Sequence, residues 1–153
     1  MIDREINYSW TSGLQAYIAR HRLSNGQFCQ IVMYKHRGSR AVEFHVAFAV
    51  ADKKRSLNGY FSGSKNDSIS GKMTGRCGAE ALYWCKDALA VFENDVAPRY
   101  LSNSAEVKIV VYGADPRRQR FYQMVLSRLG FRIENTCWGY GMVKRILKED
   151  ITR

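Results

Sequence analysis

Several absences bound this chain before any motif does. No apolar run approaches the ~18 residues that a membrane span needs, and the opening "MIDREINYSW" is too polar for a secretory apolar region. The expectation is a soluble protein of the cytoplasm with no membrane partner. The four cysteines, Cys29, Cys77, Cys85 and Cys137, have no CxxC spacing. His21, His36 and His45 form no HExxH or Cys/His cluster. Neither a zinc site nor a disulfide framework is expected, and buried reduced thiols are. Acidic residues are scarce as well: 14 Asp+Glu stand against 24 Lys+Arg, a formal charge of +10. That balance favours anionic partners, whether nucleic acid, a nucleotide cofactor or an acidic protein.

What is present is enough for one core. A chain of 153 residues with three Trp, nine Tyr and seven Phe suits a single domain over 1–153. Its basic residues gather in "YKHRGSR" (34–40), "DKKR" (52–55), "PRRQR" (116–120) and "KRILK" (144–148). Lys35, Arg37, Arg40, Lys53, Lys54, Arg55, Arg117, Arg118 and Arg120 are the candidates for gripping nucleic acid or an acidic protein. A solvated surface explains each patch equally well.

The periodicities give an order of elements. "LQAYIARHRL" (14–23) and "QFCQIVMYKH" (27–36) alternate around "SNG", which predicts a β-hairpin. "AVEFHVAFAV" (41–50) puts Val42, Phe44, Val46, Phe48 and Val50 on one face of a third strand, and "YFSG" allows a further short one. From Ala79, Leu82, Cys85, Leu89, Phe92 and Val96 recur at steps of three and four, predicting a helix that ends near Pro98. "EVKIVVYG" (106–113) reads as a strand covered on both faces. "ADPRRQRFYQMVLSRLGF" (114–131) reads as a helix with Asp115 as N-cap, Pro116 at its first position and Gly130 as C-cap glycine. A last strand over 131–146 contains Gly139 and Gly141, which mark a bulge or a close backbone approach. The fold class is α/β, a single mixed and mostly antiparallel sheet with two main helices in the order β-β-β-α-β-α-β.

This order, with a Gly-rich stretch before the first helix and Leu-Gly-Phe closing the second, resembles the GNAT acyltransferase superfamily over roughly residues 14–146. Among its members the chain looks most like the small divergent ones of phage genomes, which would place it in a bacterial host cell. The resemblance implies an acyltransferase using acetyl-CoA or a related thioester on an amine. Family members hold the cofactor's pyrophosphate with the pattern [Q/R]-x-x-G-x-[G/A] at a helix start, where backbone N–H groups face the phosphates. The pattern falls on Thr74-Gly75-Arg76-Cys77-Gly78-Ala79, with Lys72 just before it. Ala79 fits, whereas Thr74 replaces Gln/Arg and Cys77 replaces the first glycine. A Gly-rich corner that lets the chain enter its helix explains the same stretch.

The family's general acid, a tyrosine about one turn before the Gly-Phe of the last helix, is Leu126 here, and Tyr122 lies a turn earlier. Tyr122 is therefore either a displaced acid or a core residue. For the general base the resemblance points to a neighbouring strand, where Glu43 and His45 flank Phe44 and point together. A solvated outer face explains that pair too. The alternative to an enzyme is a basic binding module on the same scaffold.

Overall fold

A computed structural model of the chain describes residues 6–37, 41–51, 76–102, 104–112, 123–136 and 139–148. Seven strands form one mixed, mostly antiparallel sheet in the order β1-β2-β3-β4-β5-β7-β6. They are β1 (Ser9–Thr11), β2 (Ala16–Arg22), β3 (Phe28–Arg37), β4 (Ala41–Ala51), β5 (Glu106–Val111), β6 (Arg132–Thr136) and β7 (Gly139–Leu147). Helix α1 (Arg76–Val91) lies between β4 and β5 in the chain. It runs on into a π turn (Phe92–Val96) and a 3₁₀ turn (Ala97–Tyr100). Compactness divides the chain into two units, Met1–Met33 with Ala47–Phe92 and Tyr34–Val46 with Glu93–Arg153.

In the first unit the expected hairpin forms. Gly26, at φ +90, lets the short turn close, and the Leu23 N–H donates to the Gln27 carbonyl at 2.7 Å. Asn25 Oδ1 accepts from the Gln27 N–H at 2.8 Å, which fixes the turn from a side chain. Strand β1, which pairs antiparallel with β2 from Ser9↔Ile18 to Thr11↔Ala16, was not expected from the sequence. Three residues are too few to carry a period.

Helix α1 begins three residues before the expected Ala79, and its buried stripe is Ala81, Trp84, Ala88 and Leu89, continued by Phe92 and Val96 in the π turn, so Leu89, Phe92 and Val96 lie inward as expected. Leu82 and Cys85, which the periodicity placed inward, are only half-buried. Trp84, 1% exposed, decides the rotation, because no other orientation hides so large a side chain. Its ring stacks on His21 at 5.7 Å and near Phe48 at 6.3 Å. Where the helix widens into its π turn, the Tyr8 hydroxyl donates to the Ala88 carbonyl at 2.7 Å. Pro98, which has no N–H to give, sits in the 3₁₀ turn that ends the run, at the place expected for it.

In the second unit β4 and β5 run parallel, from Ala41↔Glu106 to Val46↔Val111. Val107, Ile109 and Val110 are fully buried, the coverage on both faces that the Val/Ile run predicted. The expected single last strand is instead two, β6 and β7, paired antiparallel from Arg132↔Val143 to Thr136↔Gly139. Strand β7 lies between β6 and β5. Of the two meanings the glycines allow, a bulge or a close backbone approach, the bulge is not met at Gly139, which opens the second strand. At Gly141 a Cβ would stand 3.0 Å from Tyr112 Cε1, so the expected close approach is present there. Residues 123–127 are helical and end as read: Gly130 has φ +95, its N–H donates to Ser127, and the Phe131 N–H reaches the Leu126 carbonyl at 3.1 Å. These two bonds are the Schellman pattern, with Leu126 and Phe131 both buried against its end. The "YFSG" strand and the start of the 114–131 helix, with Asp115 and Pro116, lie outside the described residues.

Candidate functional site

Alternation along β4 sends Phe44 to one face and Glu43 and His45 to the other. Phe44 is fully buried and meets the Tyr100 ring edge to face at 5.3 Å. His45 is buried too, at 6% exposure, so the solvated outer face that would equally explain the pair does not hold for the histidine. Its neighbours are aromatic and titratable. The His36 ring of β3 lies 4.1 Å away, tilted by 32°, and the Tyr112 ring just beyond β5 meets it at 5.4 Å and 65°. Glu43 Oε2 stands 3.7 Å from His45 Nε2, within ion-pair reach when the imidazole is protonated.

Burial, and then the charge of His36, hold the His45 imidazole below its ordinary range, and Glu43 only partly offsets them. A neutral imidazole with a carboxylate behind it is a proton acceptor. The sequence pointed to Glu43 and His45, and the structure brings them together. It adds His36 and Tyr112, which sequence reasoning missed. His36 had been absorbed into a basic patch, and the signal for Tyr112 is register: it lies two residues past Val110, the partner of His45.

The other candidate region is the start of α1. The backbone of Arg76, Cys77, Gly78 and Ala79 forms its first turn, which carries no acidic residue. Leading N–H groups of a helix have no partner within it and suit an anion. Glu80, the next residue, is occupied. It accepts from the Ser24 hydroxyl at 2.7 Å and from the Ser24 N–H at 3.1 Å, and His21 Nε2 stands 4.0 Å away. The hairpin turn thus fixes the second turn of the helix.

Lys72, Thr74, Gly75, Arg40, Lys53, Lys54, Arg55, Arg117, Arg118, Arg120 and Tyr122 lie outside the described residues. Arg37 is the last residue of β3. Lys35 is half-buried, with its ammonium 5.0 Å from the centre of the Tyr100 ring. Further along the sheet, Arg145 of the "KRILK" patch forks onto Glu134 with two bonds of 2.6 Å, and Lys144 meets Glu93 at 2.8 Å. Charges that the sequence counts as patches are partly spent on internal pairs.

Cys29 and Cys85 are not in disulfides, and burial pushes the Cys85 thiol up to about 12. Among the described residues no group of three His, Cys, Asp or Glu could hold a metal ion, and no helix is long and apolar enough to cross a membrane. No family model, no curated protein and no solved structure matches this chain.

Proposed function

We propose that this chain is a GNAT-like acyltransferase, moving an acyl group from acetyl-CoA or a related thioester to an amine. The observation that carries the reading is the crossover. Strands β4 and β5 are parallel within a mostly antiparallel sheet, and the chain between them passes through α1. Parallel neighbours require such a connection, and open α/β sheets hold ligands beyond the carboxyl ends of their strands. Helix α1 starts at Arg76, inside the stretch Thr74–Ala79 that the family resemblance assigns to the cofactor's phosphates. A first turn without acidic residues fits that role, since a carboxylate there would repel a pyrophosphate.

In this reading the N–H groups at the start of α1 bind phosphate oxygens, with Lys72, Thr74 and Arg76 adding donors and charge. His45 accepts the proton that the amine gives up as its nitrogen bonds to the acyl carbon, and Glu43 stabilises the resulting imidazolium. The carbon–sulfur bond breaks, and the departing thiolate takes a proton from solvent or from Tyr122, the family-based candidate for that step.

A thermal-shift titration with acetyl-CoA, using coenzyme A and a short DNA duplex for comparison, tests the proposal. At about 100 times its dissociation constant a ligand stabilises the native state by roughly 2.7 kcal/mol. The expected result is a saturable shift with acetyl-CoA that Gly75→Glu abolishes without lowering the unliganded Tm. Absence of any shift with thioester or thiol, together with a salt-sensitive shift on DNA, would overturn it in favour of the basic binding module.

A further inference from the structure

The acyl-transfer reading gives His45 a task but leaves His36 without one, although it is the closest ring to His45. Two imidazoles with centres 4.1 Å apart and planes tilted by 32° lie face against face. What passes between the rings is charge. Like charges held this close disfavour each other.

The carboxylate of Glu43 offsets that opposition in part. On β3, Tyr34 shares the face of His36 and is neutral, its phenol raised by burial. On β4, Glu43 is the carboxylate facing His45. Just beyond β5, Tyr112 brings a phenol ring, and on β5 Lys108, the register partner of Glu43, has its ammonium 3.8 Å from Glu106. On β7, Arg145, the partner of Lys108, is taken up by Glu134 and Glu106. The cations of β5 and β7 are thus committed to carboxylates of their own. Among the described residues, the group positioned to place a positive charge against His45 is His36.

We propose that His36 is a positioning residue for His45: by stacking on it, His36 sets the pH at which the buried imidazole can take up a proton. Glu43 pulls in the opposite direction, so the two neighbours bracket the base. His36 is the half-buried member of the pair. The inference uses the acyl-transfer reading for its purpose, since a base is useful only when it is neutral before the amine arrives. The coupling itself does not depend on that reading.

The test follows the imidazole signals of His45 by NMR through a pH titration of the full chain, in the wild type and in His36→Phe, His36→Asn and His36→Lys. Phenylalanine keeps a flat ring against His45 without a charge, asparagine removes ring and charge, and lysine makes the charge permanent. The expected result is a His45 midpoint about 0.5 to 1 pH unit higher in His36→Phe and His36→Asn, and no higher than wild type in His36→Lys. A midpoint that stays in place in both neutral variants overturns the inference, as does one that rises equally in all three. If the thermal shift with acetyl-CoA has succeeded, the acid limb of kcat/KM moves by the same amount in His36→Phe. If the midpoint moves while acetyl-CoA neither binds nor reacts, the coupling stands and the acyltransferase proposal fails.

Discussion

A single buried imidazole makes the stability of this protein depend on pH. In the native state His45 holds its proton less tightly than in the unfolded chain, because burial and His36 disfavour the charged form. As pH falls through about 6.5, the unfolded chain takes up the proton first. The contribution of His45 is therefore complete above that pH and is lost as pH falls toward the native midpoint. Urea unfolding at pH 7.5 and pH 5.5 is expected to give a larger drop in the wild type than in His45→Gln, and equal drops would contradict the burial argument. How much of this was legible follows from what a strand pattern contains. Alternation placed Glu43 and His45 on one side of β4 without further help. It could not place His36 or Tyr112 beside them, because which residue faces which across a sheet depends on register. Register here is set by long-range pairing, as in Val46↔Val111, and not by neighbours in the chain.

Helix α1 makes the same point with energies attached. A period of three to four was plain from the sequence, and Leu89, Phe92 and Val96 are buried where it placed them, but nearer the start of the helix Ala81 and Trp84 take the inward positions it gave to Leu82 and Cys85, because the pattern treats Leu82, Cys85 and Trp84 as similar apolar marks. Packing weighs them by area, and Trp84 takes the inward position with Ala81 and Ala88 on the same stripe. Trp84→Ala is thus expected to cost about 3 to 5 kcal/mol. Leu82→Ala, at a half-buried position, falls well below that, and chemical unfolding of the two variants measures the difference. Equal losses would return Leu82 to the inward face on which the sequence placed it. The close of the 114–131 helix was legible for a contrasting reason. Gly130 at φ +95 answers a local requirement that side-chain-bearing residues meet poorly, and local requirements are written in adjacent residues. The split of the last strand into β6 and β7 was not legible, since a glycine in a strand pattern marks a bulge and a turn alike.

At the scale of the whole molecule, formal charge is a poor guide to what the surface offers. The +10 is real. Yet Lys35, Lys144 and Arg145 are drawn to Tyr100, Glu93 and Glu134, and the count of basic residues overstates the free ones. The sheet's mixed direction was foreseen from the order of elements, whereas its strand order, with β7 inside β6, was not. That order also dictates a timetable. The hairpin partners β2 and β3 are neighbours in the chain, but Ala41 and its parallel partner Glu106 are 65 positions apart. Closing so long a loop costs entropy before any contact rewards it. Pulse-labelled hydrogen exchange during refolding is expected to protect Ile18–Arg22 amides before those of Val107–Val111, and the reverse order would contradict the loop-closure argument. On the ribosome the interval is longer still. At roughly 5 to 20 residues per second, β4 waits several seconds for β5 to be made. Through that interval the strand that carries the candidate base is an unpaired edge rich in valine and phenylalanine, and the nascent chain is at its most vulnerable to aggregation there.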